Sequence, residues 1–232
     1  MHRVIIDVVI PALNEAASIG KVIEDLPKKH IRYVIVANNG STDETQSVAE
    51  SKGAIVINQP IKGYGIACLT ALHYIKSLEQ KPELVVFLDG DYSDHPEELL
   101  LLTGPIESGN YEFVLGSRVL GESQKGALLW QQRVGNAIAT TLIRWFYGYR
   151  FTDLGPFRAI RYTSLLQLNM ADQNYGWTAE MQVKAAKKKL SCLEVPVSYR
   201  RRIGKSKVSG TILGSIMAGY KILFVVFKWI FK

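Results

Sequence analysis

The sequence of 232 residues contains only two cysteines. Cys68 and Cys192 stand far apart, without a Cys-x-x-Cys pair or a neighbouring histidine cluster. Neither a disulfide framework nor a zinc site is suggested, and a reducing compartment fits. There is no internal repeat and no low-complexity stretch, so one domain is the default. Met1-His2-Arg3 runs directly into a short apolar strand, too short for a secretory signal or a membrane span. A location on the cytoplasmic side is therefore expected. The basic runs lack interleaved aromatics, since Trp130, Trp145 and Phe146 lie in apolar contexts. A stacking platform for nucleic acid is not expected from such a pattern.

What is present points to a soluble α/β domain. The hydrophobic content of 47% is ordinary for that class, and the chain is long enough for one sizeable core. The net charge of +7 favours anionic partners, whether nucleic acid, an anionic membrane face or phosphate-bearing substrates. The excess is concentrated late, in Lys184, Lys187, Lys188 and Lys189 and then in Arg200, Arg201, Arg202, Lys205 and Lys207.

The first half alternates β-branched runs with helical patterns. Strands are predicted at 4–10, stopped by Pro11, and at 33–37, 54–57, 84–88 and 113–118. Helical segments lie between them, and Ser41 with Glu44 has capping-box spacing for one of these. This rhythm predicts a mostly parallel sheet with ligand-facing loops along one edge. The stretch Val85-Val86-Phe87-Leu88-Asp89-Gly90-Asp91 places two carboxylates at the C-terminal end of a strand buried on both faces. Like charges that close destabilise each other, so a hard divalent cation holding a diphosphate suits them, with Gly90 permitting close approach. Asp94 and Pro96 read as the start of the next helix. Beyond Arg118 come a polar loop at 121–126, a long helix at 128–147, a turn and short strand at 151–161, an amphipathic helix at 177–189 and an edge strand at 193–199 containing Pro196.

The tail from Ile212 to Phe231 is strongly apolar but carries Lys221 at its middle. A central lysine costs about 2.5–3.5 kcal/mol on insertion scales, which argues against a spanning helix. On a helical projection Lys221, Val225, Lys228 and Lys232 share one stripe, opposite Ile216, Tyr220, Leu223, Phe224 and Phe227. A helix lying in a membrane interface is expected, with packing on the domain or on a partner as the alternative.

Six stretches, in order, resemble the family-2 glycosyltransferases of GT-A fold, and within them the polyprenyl-phosphate hexose synthases typified by dolichol-phosphate mannose synthase. They are Ile10-Pro11-Ala12-Leu13-Asn14-Glu15, Asn39-Gly40-Ser41-Thr42-Asp43, Asp89-Gly90-Asp91, Gly116-Ser117-Arg118, Asp153-Leu154-Gly155-Pro156-Phe157-Arg158, and Glu194-Val195-Pro196-Val197 with Gly204-Lys205-Ser206-Lys207. The resemblance implies a catalytic domain over 1–210, with a nucleotide-sugar half (1–118) and an acceptor half (119–210), followed by the interfacial helix 211–232. It implies that Pro11, Ala12, Leu13, Glu15 and Asn38 line base and ribose, and that Asp89 and Gly90 meet the nucleotide sugar. Asp91, with Asp89, would hold Mg²⁺ or Mn²⁺. Arg118, Arg133, Arg158, Arg202 and Lys207 would surround the donor and acceptor phosphates. Asn38 stands where many relatives carry aspartate, which leaves the base open, and Ser93 stands where some carry a longer amide near the metal.

The activity so implied is inverting transfer of a hexose, of mannose or glucose type, from a nucleoside diphosphate sugar to a polyprenyl phosphate at the membrane surface. The spanning helices of some relatives are lacking, so the tail alone or a membrane-protein partner would hold the enzyme there. A hydroxyl acceptor is the alternative and would need a general base, for which Glu180 is the candidate. A nonenzymatic nucleotide-sugar sensor and a nucleic-acid-binding module are the readings outside the enzyme class.

Overall fold

The computed structural model describes residues 3–204 and 212–230. One seven-stranded sheet, in the order β3-β2-β1-β4-β6-β5-β7, organises the chain. Strands β1 (Ile6–Ala12), β2 (Ile31–Asn38), β3 (Ile55–Asn58) and β4 (Leu84–Phe87) pair in parallel, joined by α1 (Ile19–Asp25), α2 (Thr45–Ser51) and α3 (Tyr64–Ser77). After α4 (Leu99–Glu107) and β5 (Phe113–Ser117) the topology changes. Strand β6 (Arg158–Arg161), reached through α5 (Trp130–Tyr147), inserts antiparallel between β4 and β5. Helices α6 (Tyr162–Leu168) and α7 (Trp177–Lys187) lead to β7 (Cys192–Pro196), which runs parallel to β5 at the sheet edge. An edge position suits Pro196, which has no N–H for a second neighbour.

Both faces of the sheet are covered, which explains the continuous apolar runs of β1 and β4. Val9, Val85 and Phe87 point into a core shared with α3, α5 and α7. Val8, Ile10 and Val86 point the other way, into a core shared with α1 and α4. Alternate side chains thus serve opposite layers, as strand geometry requires.

Four local expectations are corrected. Pro11 does not stop β1, because it pairs with Ala37. Its missing N–H lies on the side of β4, whose pairing with β1 has already ended at Val9 and Phe87. The helix after β2 begins at Thr45 without a Ser41–Glu44 box. Asp43 instead accepts from the Thr45 N–H at 3.0 Å and Ser41 from the Asn14 N–H at 2.9 Å. Asp94 caps nothing at the short 3₁₀ turn of Pro96–Glu98; it turns back to accept from the Asp89 N–H at 3.3 Å. Helix α7 is buried over most of its circumference instead of half-exposed.

The described part of the tail forms one helix, α8 (Ile212–Ile230), lying against α5 and α7. Its lysine stripe does not face solvent as a unit. Val225 is buried over Gly176, and Lys221 reaches Asp172 at 3.1 Å. Tyr220, Phe224 and Phe227 are the exposed aromatics. Among the described residues no helix is long and apolar enough to cross a membrane.

Candidate functional site

Parallel strands deliver their following loops to a common edge, and here those loops are tied together by side chains. Asn14, in the left-handed region at φ 53°, accepts from the Thr42 N–H at 2.8 Å. The Glu15 N–H donates to Thr45 at 2.8 Å and the Ala16 N–H to Asp43 at 3.1 Å. Asn39 accepts from the Gly63 N–H and donates to the Ile61 carbonyl, both at 2.7 Å, joining the β2 loop to the start of α3. These bonds fix the rim of a cavity of about 550 Å³.

The carboxylates after β4 form the acidic centre of that cavity. Asp91 is buried; one oxygen accepts from the Ser93 N–H at 2.9 Å and the Ser93 hydroxyl at 2.5 Å, and the other pairs with Arg202. Ser93 therefore orients Asp91 from a fully buried position. Burial and then Asp91 push the Asp89 carboxyl above the usual carboxylate range, opposed by Arg202 and Tyr64. Asp94 is pushed up more strongly, by burial and then by Asp89 and Asp91. Oδ1 of Asp89 and Oδ1 of Asp94 are buried without a hydrogen-bond partner among the described residues. A bend between them puts Tyr92 at φ 63°, a conformation rare for a bulky side chain.

Basic groups enter from the second half. The segment after β7 is laced to the acidic loop by Arg200 N–H to Ser93 carbonyl and Ile203 N–H to Asp91 carbonyl bonds, both 2.9 Å, and this brings Arg202 onto Asp91. Burial opposes the charge of Arg202, but Asp91 and Asp89 outweigh it. Arg200 lies over the Tyr92 ring, 3.5 Å from its centroid, instead of on an open solvated face. Arg118 forms a fork on Asp153, with Nε and Nη2 each 2.7 Å from a carboxylate oxygen. Burial disfavours that arginine's charge too, and Asp153 more than offsets it.

Pro11, Ala12, Leu13, Glu15, Asp89, Gly90, Asp91, Arg118 and Arg202 all line the cavity. Asn38 does not: its carboxamide donates to Asn58 at 2.9 Å and accepts from the Ser41 N–H at 3.1 Å, while Asn39 takes the cavity wall. Arg158 does not either. Its side chain is fully buried, with Nη1 on the Thr178 carbonyl at 3.0 Å and Nη2 on the carbonyls of Leu154 and Gly155. Burial pulls its pKa down to about 10. Arg133 is exposed on α5, outside the cavity lining. Lys207 lies outside the described residues.

Glu180 is likewise displaced from the part of a base. It is buried, 2.8 Å from Lys184, and accepts from the N–H groups of Ala171 and Asp172 at 3.0 and 2.8 Å. It does not line the cavity. A carboxylate so engaged organises the turn before α7. Sequence reasoning missed Lys62 and Tyr64 at the start of α3, Gln131 and Asn136 on α5, and Tyr199. The Lys62-Gly63-Tyr64-Gly65 loop was the available signal, since it follows a parallel strand as the recognised loops do.

The chain matches Glycosyl transferase family 2 over residues 7–168. It belongs to that family. A glycosyltransferase of Mycobacterium tuberculosis is 33% identical to this family-2 chain over 217 residues, covering 92% of this chain and 94% of its own. A dolichyl-phosphate hexose transferase of Haloferax volcanii is 29% identical over 204 residues, covering 87% and 85%. Among solved structures, glucosyl-3-phosphoglycerate synthase from Mycobacterium tuberculosis, in complex with Mn²⁺, UDP-glucose and phosphoglyceric acid, superposes with a TM-score of 0.72. That alignment covers 98% of this chain and 80% of that one at 20% identity, a likeness of fold. The mostly parallel sheet with helices on both faces is thus the GT-A arrangement of the family.

Proposed function

We propose that this family-2 glycosyltransferase moves a hexose from a nucleoside diphosphate sugar to a polyprenyl phosphate, with inversion, using Mg²⁺ or Mn²⁺. The observation that carries the proposal is the meeting of Asp89 and Asp91 with Arg118 and Arg202 around one cavity. The dolichyl-phosphate hexose transferase among the relatives supports the choice of acceptor. Residues 1–118 supply the donor side, with Pro11, Ala12, Leu13, Glu15 and Gly90 along the nucleotide sugar, and residues 119–210 supply the acceptor side.

The acidic centre fits a divalent cation. Asp89 presents a buried oxygen, Oδ1, that has no hydrogen-bond partner among the described residues. Among the described residues no three His, Cys, Asp or Glu side chains form a complete ligand set. That suits Mg²⁺ or Mn²⁺, which is commonly bound by one or two carboxylates and completed by substrate phosphates and water. Asp91, oriented by Ser93, and Asp89 are the residues that would hold it. When bound, the ion offsets the charge that grows on the departing diphosphate.

The remaining work is done by position and charge. The acceptor phosphate oxygen bonds to the anomeric carbon as the bond from that carbon to the diphosphate oxygen breaks. A phosphate dianion is already a nucleophile, so no general base is required, which agrees with a buried, paired Glu180. Arg118, held by Asp153, and Arg202, paired with Asp91, would bind phosphate oxygens, a role supported by their both lining the cavity.

The test is a donor screen with a short-chain polyprenyl phosphate, with and without a chelator. Metal-dependent formation of a lipid-linked sugar is expected. Asp91→Ala should reduce turnover by about a thousandfold, the upper range for loss of one electrostatic stabiliser, while the melting curve stays cooperative. Glu180→Gln should retain turnover. Activity undiminished by the Asp91 substitution would refute the metal assignment, and a Glu180 variant that binds donor but is inert would favour a hydroxyl acceptor.

A further inference from the structure

Helix α5 buries Ala139 and Ile143 in the core but also exposes large apolar side chains. Its buried face includes Asn136 and Thr140, while Trp130, Val134, Ile138 and Trp145 are exposed, Trp130 by 70% and Trp145 by 74%. At 3.6 residues per turn these four fall within one narrow stripe on the side away from the core. Phe146 extends the stripe to α8, meeting Phe227 edge to face with centroids 6.1 Å apart. Tyr220 and Phe224 continue it on the exposed side of α8. Phe146 and Phe227 thus join the exposed apolar residues of the two helices, and contiguous exposed apolar residues mark an interaction surface.

Its charge is of one sign. Arg133 and Arg144 flank the stripe on α5 and Lys228 is exposed on α8, and neither helix contains a single Asp or Glu. The same two helices also wall the cavity, through Gln131, Gln132 and Gly135 on α5 and Gly219 and Ile222 on α8.

We infer that the joined outer face of α5 and α8 docks on an anionic lipid bilayer, seating the cavity mouth at the headgroup level. Tryptophans bordered by arginine and lysine suit that boundary, where rings enter the acyl region and cations meet lipid phosphate. A second copy of the chain would oppose cation to cation, whereas an anionic bilayer is complementary. The inference deepens the proposed function, because a polyprenyl phosphate is reached from such a surface, and it reassigns Arg133 from acceptor phosphate to lipid headgroup.

The experiment is sedimentation of the full chain with vesicles of phosphatidylcholine alone and of phosphatidylcholine with phosphatidylglycerol. Preference for the anionic vesicles is expected, along with quenching of tryptophan fluorescence by brominated lipid. The double variant Trp130→Glu/Trp145→Glu should lower partitioning about tenfold or more. It should keep wild-type turnover of a water-soluble short-chain polyprenyl phosphate, which also shows that it folds. Arg144→Glu should weaken binding to the anionic vesicles alone. Partitioning untouched by the double variant, or no quenching in the wild-type chain, would overturn the inference. So would a wild-type dimer that the variant dissolves while vesicle binding persists. Tryptophan-dependent vesicle binding without transfer to any polyprenyl phosphate would support the docking face and refute the acceptor.

Discussion

The two sides of the cavity are built differently. On the side proposed for the donor the polar residues follow parallel strands, and their partners are other loops at the same edge, as with Asn14 and Thr42 or Glu15 and Thr45. On the side proposed for the acceptor the buried arginines go where a partner holds them, while Arg133 stays exposed. Arg118 is turned by Asp153, Arg202 by Asp91, and Arg158 is drawn inward by carbonyls. A polar residue after a parallel strand can therefore be placed from its position in the chain, whereas an arginine beyond the parallel region cannot be placed until its partner is known.

The strongest test of that contrast is Arg158→Ala. The substitution removes a large, fully buried side chain and strands carbonyls that its guanidinium now satisfies. Cavity and desolvation costs together should destabilise the fold by about 4 kcal/mol. Chemical denaturation of the variant should show that loss before any defect in donor binding under native conditions. A stable variant with selectively weakened acceptor binding would return Arg158 to the site.

The same contrast explains what could be read in advance. Strands β1, β2 and β4 and their loops were visible as β-branched runs ending in polar residues, and the paired aspartates followed from strand-end logic. The antiparallel insertion of β6 was not visible, because Arg158-Ala159-Ile160-Arg161 carries no mark of direction and its neighbours, Phe87 and Leu115, are remote in sequence. Asn38 and Asn39 were exchanged for a smaller reason. Adjacent strand residues face opposite ways, and one residue of register decides which reaches the cavity. For Glu180 the sequence left a base and a structural carboxylate both open, because a helix buried on nearly all sides shows no polar stripe to separate a surface carboxylate from an internal one.

Asp153→Asn addresses the acceptor side through pH. Burial works to raise the Asp153 pKa, but Arg118 and backbone N–H groups hold it below the ordinary value. A depressed folded-state pKa contributes stability above the unfolded pKa, about 3.9, and loses it as pH falls through the folded one. Removing the carboxylate leaves Arg118 buried without its partner, at a cost of about 3 kcal/mol near neutral pH. The difference between wild type and variant in urea midpoints should be full at neutral pH and narrow below about pH 4. A difference that grows on acidification would contradict the pairing.

The smallest effect is expected on the donor side, at Gly90. A Cβ built there would lie 3.5 Å from Ala12, Ile10 and Ile19, ordinary contact distances, and it would point into the layer beneath the cavity. Gly65 is the opposite case, since a Cβ there would lie 2.0 Å from the Asp172 carbonyl oxygen and α3 could not keep its place. Gly90→Ala should leave stability unchanged or raise it by up to about 1 kcal/mol, through a less flexible unfolded chain. Donor affinity should also stay within about fivefold, because an added methyl group directed away from the cavity alters binding by less than about 1 kcal/mol. Isothermal titration with the nucleoside diphosphate sugar checks this. A loss of tenfold or more with the melting temperature unchanged would mean that the donor presses on the Gly90 backbone and needs it to move.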